Sequence, residues 1–282
     1  MCAKLGFLGL SFLLAATVAA AQEGPKTSDV YCSGIVTTDK VPYDTYLISG
    51  EQSNSKVTFE RGDVVYINKG SAQGAKVGDE FLVMRTVKDP LEVKWFSWQP
   101  GLLRAMGQTY ADLGRLRVIN VQQNVSIAEV ASSCDYMQRG DIVLPFAERP
   151  APPFHDATKF DRFAPASGKA KAMVVTTRFF SQEAGTNSIV YVNLGSAQGV
   201  KVGDYFRIFR YQDTRNQAAY QTAGIATRLY GFGSAPRSYK EDDLPREALG
   251  EGIVLRVSPN ASTVLITLSL REIYPGDYVE SE

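Results

Sequence analysis

Val65-Tyr66-Ile67-Asn68-Lys69-Gly70-Ser71-Ala72-Gln73-Gly74-Ala75-Lys76-Val77-Gly78-Asp79-Glu80-Phe81 returns as Val190-Tyr191-Val192-Asn193-Leu194-Gly195-Ser196-Ala197-Gln198-Gly199-Val200-Lys201-Val202-Gly203-Asp204-Tyr205-Phe206, an offset of 125 residues (190 − 65). A second block, Gly114–Ile119 with Arg139-Gly140-Asp141, pairs with Gly250–Leu255 and Pro275-Gly276-Asp277 at an offset of 136 (250 − 114), so the second copy carries 11 extra residues between its blocks. Two copies of roughly 110 residues are a tandem domain duplication and not a stacked array of short units. Within the block, Gly70 and Gly195 are expected to end a strand at positive φ and Gly74 and Gly199 to do the same at the next corner. Gly78-Asp79 and Gly203-Asp204 then make the turn that launches the following strand. A phosphate-cradling loop would need a Gly-Lys-Ser/Thr ending and an opening helix, and neither follows.

Working outward, each copy reads as short, partly alternating runs of β-branched and aromatic residues bounded by turns. In the first copy these are Val64–Ile67, Phe81–Met84, Leu116–Val121 and Ser126–Val130; in the second, Ile189–Asn193, Tyr205–Arg210, Gly252–Val257 and Ser262–Leu268. Pro100–Leu113 is the one fair helix candidate. The fold class is therefore all-β, two small partly closed barrels (SH3-like or related) or sandwiches arising from the duplication.

Met1–Ala21 has the plan of a secretory signal peptide, with Lys4, an apolar run over 5–20 and Ala19-Ala20-Ala21 before Gln22. Export predicts a mature chain beginning near Gln22 with no integral membrane segment. In an oxidising compartment the two remaining cysteines, Cys32 and Cys134, read as a disulfide, the alternative being two separate buried thiols. Pro145, Pro150, Pro152, Pro153 and Pro165 mark residues 147–169 as a linker that holds two domains apart. The chain thus divides into signal 1–21, arm and first β-domain 22–146, linker 147–169 and second β-domain 170–282.

Thirty basic and thirty acidic residues balance in a chain that is 44% hydrophobic. A neutral chain offers no sequence-wide attraction to nucleic acid. The single histidine, His155, sits in the linker, so no catalytic set assembles; Glu241-Asp242-Asp243 reads as a solvated loop. No metal-ligand spacing and no cofactor motif is present, and the expectation is a non-enzyme without cofactor. Arg-Gly-Asp at 61–63 and 139–141 tempts an adhesion reading, but the second copy replaces Arg139 by Pro275 and keeps only the Gly-Asp turn. The sequons at Asn124 and Asn260 adjoin predicted strands.

The phrase over 191–210, with the later Gly-x-Val-x-x-Val strand, resembles the C-terminal domain of the bacterial flagellar assembly protein T. The stretch 252–266 is also similar to the β-barrel of the rod-shape-determining protein MreC. The resemblance implies a small β-barrel in the bacterial envelope, periplasmic or extracellular, acting as a structural or protein-interaction module.

The copies differ most between their two blocks. There the first carries Trp95-Phe96-Ser97-Trp98 and the second carries Tyr220, Tyr230, Phe232 and Tyr239. Variable insertions on a common barrel are where recognition resides, and Trp and Tyr dominate interface energies. These aromatics are candidates for binding an envelope protein; the competing readings are that they only cap the barrel, or that the partner is a cell-wall glycan.

Overall fold

The computed structural model describes residues 24–52, 54–155, 160–211 and 245–282. The first half runs α1 (Thr27–Tyr31), β1 (Ile35–Thr37), β2 (Leu47–Gly50), β3 (Thr58–Phe59), β4 (Val64–Ile67), β5 (Glu80–Thr86), α2 (Gln99–Met106), β6 (Gln108–Val121), β7 (Ser126–Ser133), β8 (Met137–Gln138) and β9 (Ile142–Pro145). The second runs β10 (Lys171–Thr177), β11 (Ile189–Val192), β12 (Tyr205–Arg210), β13 (Glu247–Ser258), β14 (Ala261–Ser269) and β15 (Tyr278–Ser281). Strand order is β2-β4-β7-β6-β5-β9 in the first and β10-β11-β14-β13-β12-β15 in the second, one topology used twice.

The second sheet closes into a barrel through β10 and β15. The first curls until β2 and β9 meet, at the Tyr46–Ile142 bridge and the Val143 N–H to Thr45 carbonyl bond of 2.9 Å. Register shifts recur at matching places. That between Val83 and Met84 on β5 returns between Ile208 and Phe209 on β12, and those at Arg115/Leu116 and Val118/Asn120 return at Glu251/Gly252 and Val254/Arg256. Such bulges bend the long strands, which is how short sheets close. Inward side chains fill each barrel, with Phe81, Val83 and Val118 in the first and their equivalents Phe206, Ile208 and Val254 in the second.

The corners are partly as expected. Gly74 and Gly199 are left-handed (φ 79° and 87°), and Gly78 and Gly203 have φ of 92° and 93°. Gly70 and Gly195 are not at positive φ; they are extended, at −115° and −136°. Glycine is needed there for close approach, because a Cβ would collide with the backbone carbonyls of Gln122 and Gln123, or of Ser258. The helix candidate also needs correction. Only Gln99–Met106 is helical; the chain breaks at Gly107 (φ 106°) and 108–113 become the start of β6, where Tyr110 and Gln108 pair with Ile35 and Thr37 of β1.

The proline-rich segment does not hold the two halves apart. A shared apolar cluster joins Val36 and Met106 of the first to Val175, Ile189, Tyr191, Ile253, Leu255 and Leu265 of the second, with Leu102 and Leu103 of α2 packed against it. Polar contacts complete the join. Asp112, fully buried, accepts from the Gly34 N–H at 2.8 Å and from Arg256 Nη1 at 3.0 Å, while the Tyr191 hydroxyl donates to the Ser33 carbonyl at 3.0 Å. Burial pushes the Tyr191 phenol well above its ordinary range. Ser258 Oγ likewise donates to the Val36 carbonyl.

Candidate functional site

The Gly-Asp turns share one construction. At Lys76–Asp79 and Lys201–Asp204 the aspartate carboxylate accepts the N–H of the residue three earlier, at 2.9 and 2.8 Å, and Glu60–Asp63, Gln138–Asp141 and Tyr274–Asp277 repeat it. Both Arg-Gly-Asp tripeptides are such turns. Asp63 is held by Lys56 at 2.7 Å, and Asp141, 2% exposed, is gripped by Arg85 through Nε and Nη2 at 2.7 and 2.8 Å. The same two-pronged grip joins Arg210 to Asp277, both bonds at 2.7 Å. Burial raises the Asp277 carboxyl above the ordinary carboxylate range despite this partner. These duplicated pairs escaped the sequence reading, although Arg85/Arg210 and Asp141/Asp277 keep the two repeat offsets.

Cys32 and Cys134 are joined as a disulfide with Cα atoms 5.5 Å apart, tying the segment after α1 to the residue after β7. Beneath it lies a cavity of about 290 Å³, walled by Tyr31, Leu82, Phe146 and Arg115.

The aromatic insertion between β5 and β6 divides its labour. Phe96 is buried, Trp95 is half-buried and Trp98 is 54% exposed. Gln99, itself buried, accepts from the Trp95 N–H and donates to the Val175 carbonyl, both at 2.8 Å, so the insertion is pinned to β10 of the other half. Between the insertion and Thr176 and Phe180 of the second half runs a cleft of about 380 Å³. Val87, Val93, Leu103 and Phe180 give it apolar walls, and Lys94 and Glu92 give it charges of both signs. Neither tryptophan lines it; Trp98 stands one residue before the Gln99 and Pro100 wall. Tyr220, Tyr230, Phe232 and Tyr239 lie outside the described residues, as do Glu241-Asp242-Asp243 and Met1–Ala21, the stretch expected to be a signal peptide.

A second arrangement was invisible in the sequence. The outer face of β5, β6 and β9 carries an apolar patch, Leu82, Met84 and Ile142 packed against Leu144, beside the pairs of Glu80 with Arg115 and Arg117. The matching face of β12, β13 and β15 is charged. Arg207 pairs with Glu282 at 3.1 Å and Arg246 with Glu280 at 2.7 Å. Glu251, 1% exposed, meets His155 Nε2 at 3.3 Å. The linker histidine is therefore held against the second barrel. Its ring stacks on Tyr205 at 3.6 Å and the His155 backbone N–H donates to the Tyr205 hydroxyl at 2.9 Å. Burial is the largest influence on Glu251 and raises its carboxyl; the Glu282 charge pushes the same way, while His155 and Thr267 oppose it.

Compared with known proteins, the chain matches no family model and no curated relative.

Proposed function

We propose that this protein is a non-enzymatic interaction module of the bacterial cell envelope, exported to the periplasm or cell surface, whose partner is another envelope protein. The observation that carries the reading is the cleft between the insertion that contains Trp98 and the second half. A rigid, duplicated scaffold presents a non-duplicated insertion, and that insertion forms one wall of a groove with apolar walls and mixed charge. Such a groove suits an extended peptide segment whose apolar side chains enter while backbone and charged groups meet the rim. The disulfide fits an oxidising compartment. A glycan site would call for a platform of aromatic rings, and among the described residues Phe180 is the one aromatic lining this cleft.

The test is a photo-crosslinking residue placed at Trp98 in the exported protein, with the same group at exposed Val57 as control. A discrete protein adduct at 98, absent at 57, is the expected result. Absence of an adduct at 98 combined with cosedimentation of the purified protein with cell-wall polysaccharide would replace the reading by glycan binding. Alanine at each aromatic separates recognition from packing: Trp98→Ala should weaken capture by about 2 kcal/mol, whereas Phe96→Ala should cost about 3–5 kcal/mol of stability.

A further inference from the structure

We propose that His155, Glu251 and Glu282 form a binding site for a divalent ion of the zinc type, which fastens the linker to the second barrel. The three side chains each bring one donor atom to a common point, all within 4.8 Å of one another. Zinc bonds of ~2.0–2.2 Å place tetrahedral ligands ~3.3–3.6 Å apart, so the His155–Glu251 separation of 3.3 Å already has that spacing, and Glu282, whose donor atom lies within 4.8 Å of the other two, has only to move inward to complete it.

Charge supplies the second argument. Glu280 has Arg246 and Glu282 has Arg207, but Glu251, the most buried carboxylate on this face together with Glu280, is paired with no lysine or arginine among the described residues. Its neighbours are the Thr267 hydroxyl at 3.3 Å, the imidazole, and a second carboxylate. A buried anion beside another anion is costly unless a cation joins them. Of the cations that could fill this place, a divalent ion is the one that all three side chains can hold at once.

The surroundings hold the donors as ligands are held. Thr267 donates to Glu251 Oε1, leaving Oε2 facing His155. Arg207 directs both Nε and Nη2 at Oε1 of Glu282, which leaves Oε2 for a metal. The Tyr205 ring and hydroxyl fix the plane and position of His155. Outer partners of this kind orient metal ligands. One nitrogen and two oxygen donors favour zinc over calcium or magnesium, which take oxygen shells. In the first half the equivalent strand positions of Glu251 and Glu282 hold Arg115 and Phe146, so the donor set belongs to the second copy alone.

Because His155 is the chain's one histidine, its ring is an unambiguous reporter. Chelator-treated full-length mature protein is titrated with zinc chloride by calorimetry, and the imidazole signals are followed by NMR. The expected result is one bound zinc per chain, displaced imidazole resonances, a raised melting temperature, no comparable response to magnesium, and an affinity loss of about 10–100-fold or more in His155→Ala and in Glu251→Gln. Zinc binding that is absent, or that persists undiminished in both variants, overturns the proposal. Should either variant fail to fold, the wild-type imidazole signals still decide: zinc that leaves them unmoved refutes the site.

Discussion

Replacing Asp112 by alanine tests whether the two barrels fold as one body. Its carboxylate is fully buried and accepts from the Gly34 N–H at 2.8 Å and from Arg256 Nη1 at 3.0 and 3.1 Å. Arg149 stands 3.9 Å away; burial and the Arg256 charge together push its guanidinium below the usual range, against the pull of Asp112. Removing the carboxylate strands Arg256, whose side chain is 15% exposed, inside the interface. Breaking one half of a buried pair costs about 3–5 kcal/mol, and the orphaned Gly34 N–H belongs to the same network, so its penalty is not added separately. For a chain of this size each kcal/mol moves the melting temperature by roughly 2–4 °C, giving a fall on the order of 10 °C. Both tryptophans lie in the first half, so their fluorescence reports that half while far-ultraviolet circular dichroism reports both. Wild type should give coincident transitions by the two probes, and Asp112→Ala an early transition. Asp112→Ala/Arg256→Met should recover most of the loss, since an apolar pair tolerates the dry site. Separate wild-type transitions, or a single mutant that melts within a degree of wild type, would refute a common interface.

Gly199→Val and Gly74→Val should each cost about 1–3 kcal/mol by urea melts, because the strain is in the backbone alone: open space surrounds a Cβ built at either position. Asparagine, which adopts the left-handed region readily, should recover much of that loss at both. Burial acts to raise the Asp63 carboxyl, but Lys56 and the Glu60 N–H outweigh it and hold the group below the ordinary carboxylate range. A depressed folded value means that Asp63 stabilises the protein above the unfolded-state pKa and that this contribution is lost as pH falls through the folded one. Asp63→Asn should therefore flatten the acid limb of a stability-against-pH curve; an unchanged slope would count against the turn's electrostatic role.

Much of the local architecture was legible in the repeat. Short-range rules placed β4–β7 and β11–β14, though not β1–β3, β8–β10 or β15, together with the left-handed corners at Gly74 and Gly199 and the Gly-Asp turns, since each depends on φ preferences and alternation within a few residues. Cys32 and Cys134 were legible by elimination once the signal was set aside. Gly70 and Gly195 were read as special for the wrong reason: their constraint comes from backbone carbonyls more than fifty residues away in sequence, which no local pattern shows. The start of β6 misled for a related reason. Residues 108–113 are compatible with a helix locally, and β1 makes them a strand by pairing with them.

The candidate sites divide along the same line. Trp95, Phe96 and Trp98 stood out because the second copy lacks them, yet their unequal burial depended on how α2 docks against the second half. Glu251 and Glu282 carried no spacing signal, since Glu251 lies 96 residues from His155. By itself the sequence determined the duplication, the β character and the corner geometry, all set by steric preferences that act between near neighbours. The tertiary structure alone decided that the halves share a buried interface and that a linker histidine meets two barrel carboxylates. Those outcomes depend on which outer barrel faces are covered by other parts of the chain, and burial at such distances is a property of the assembled fold.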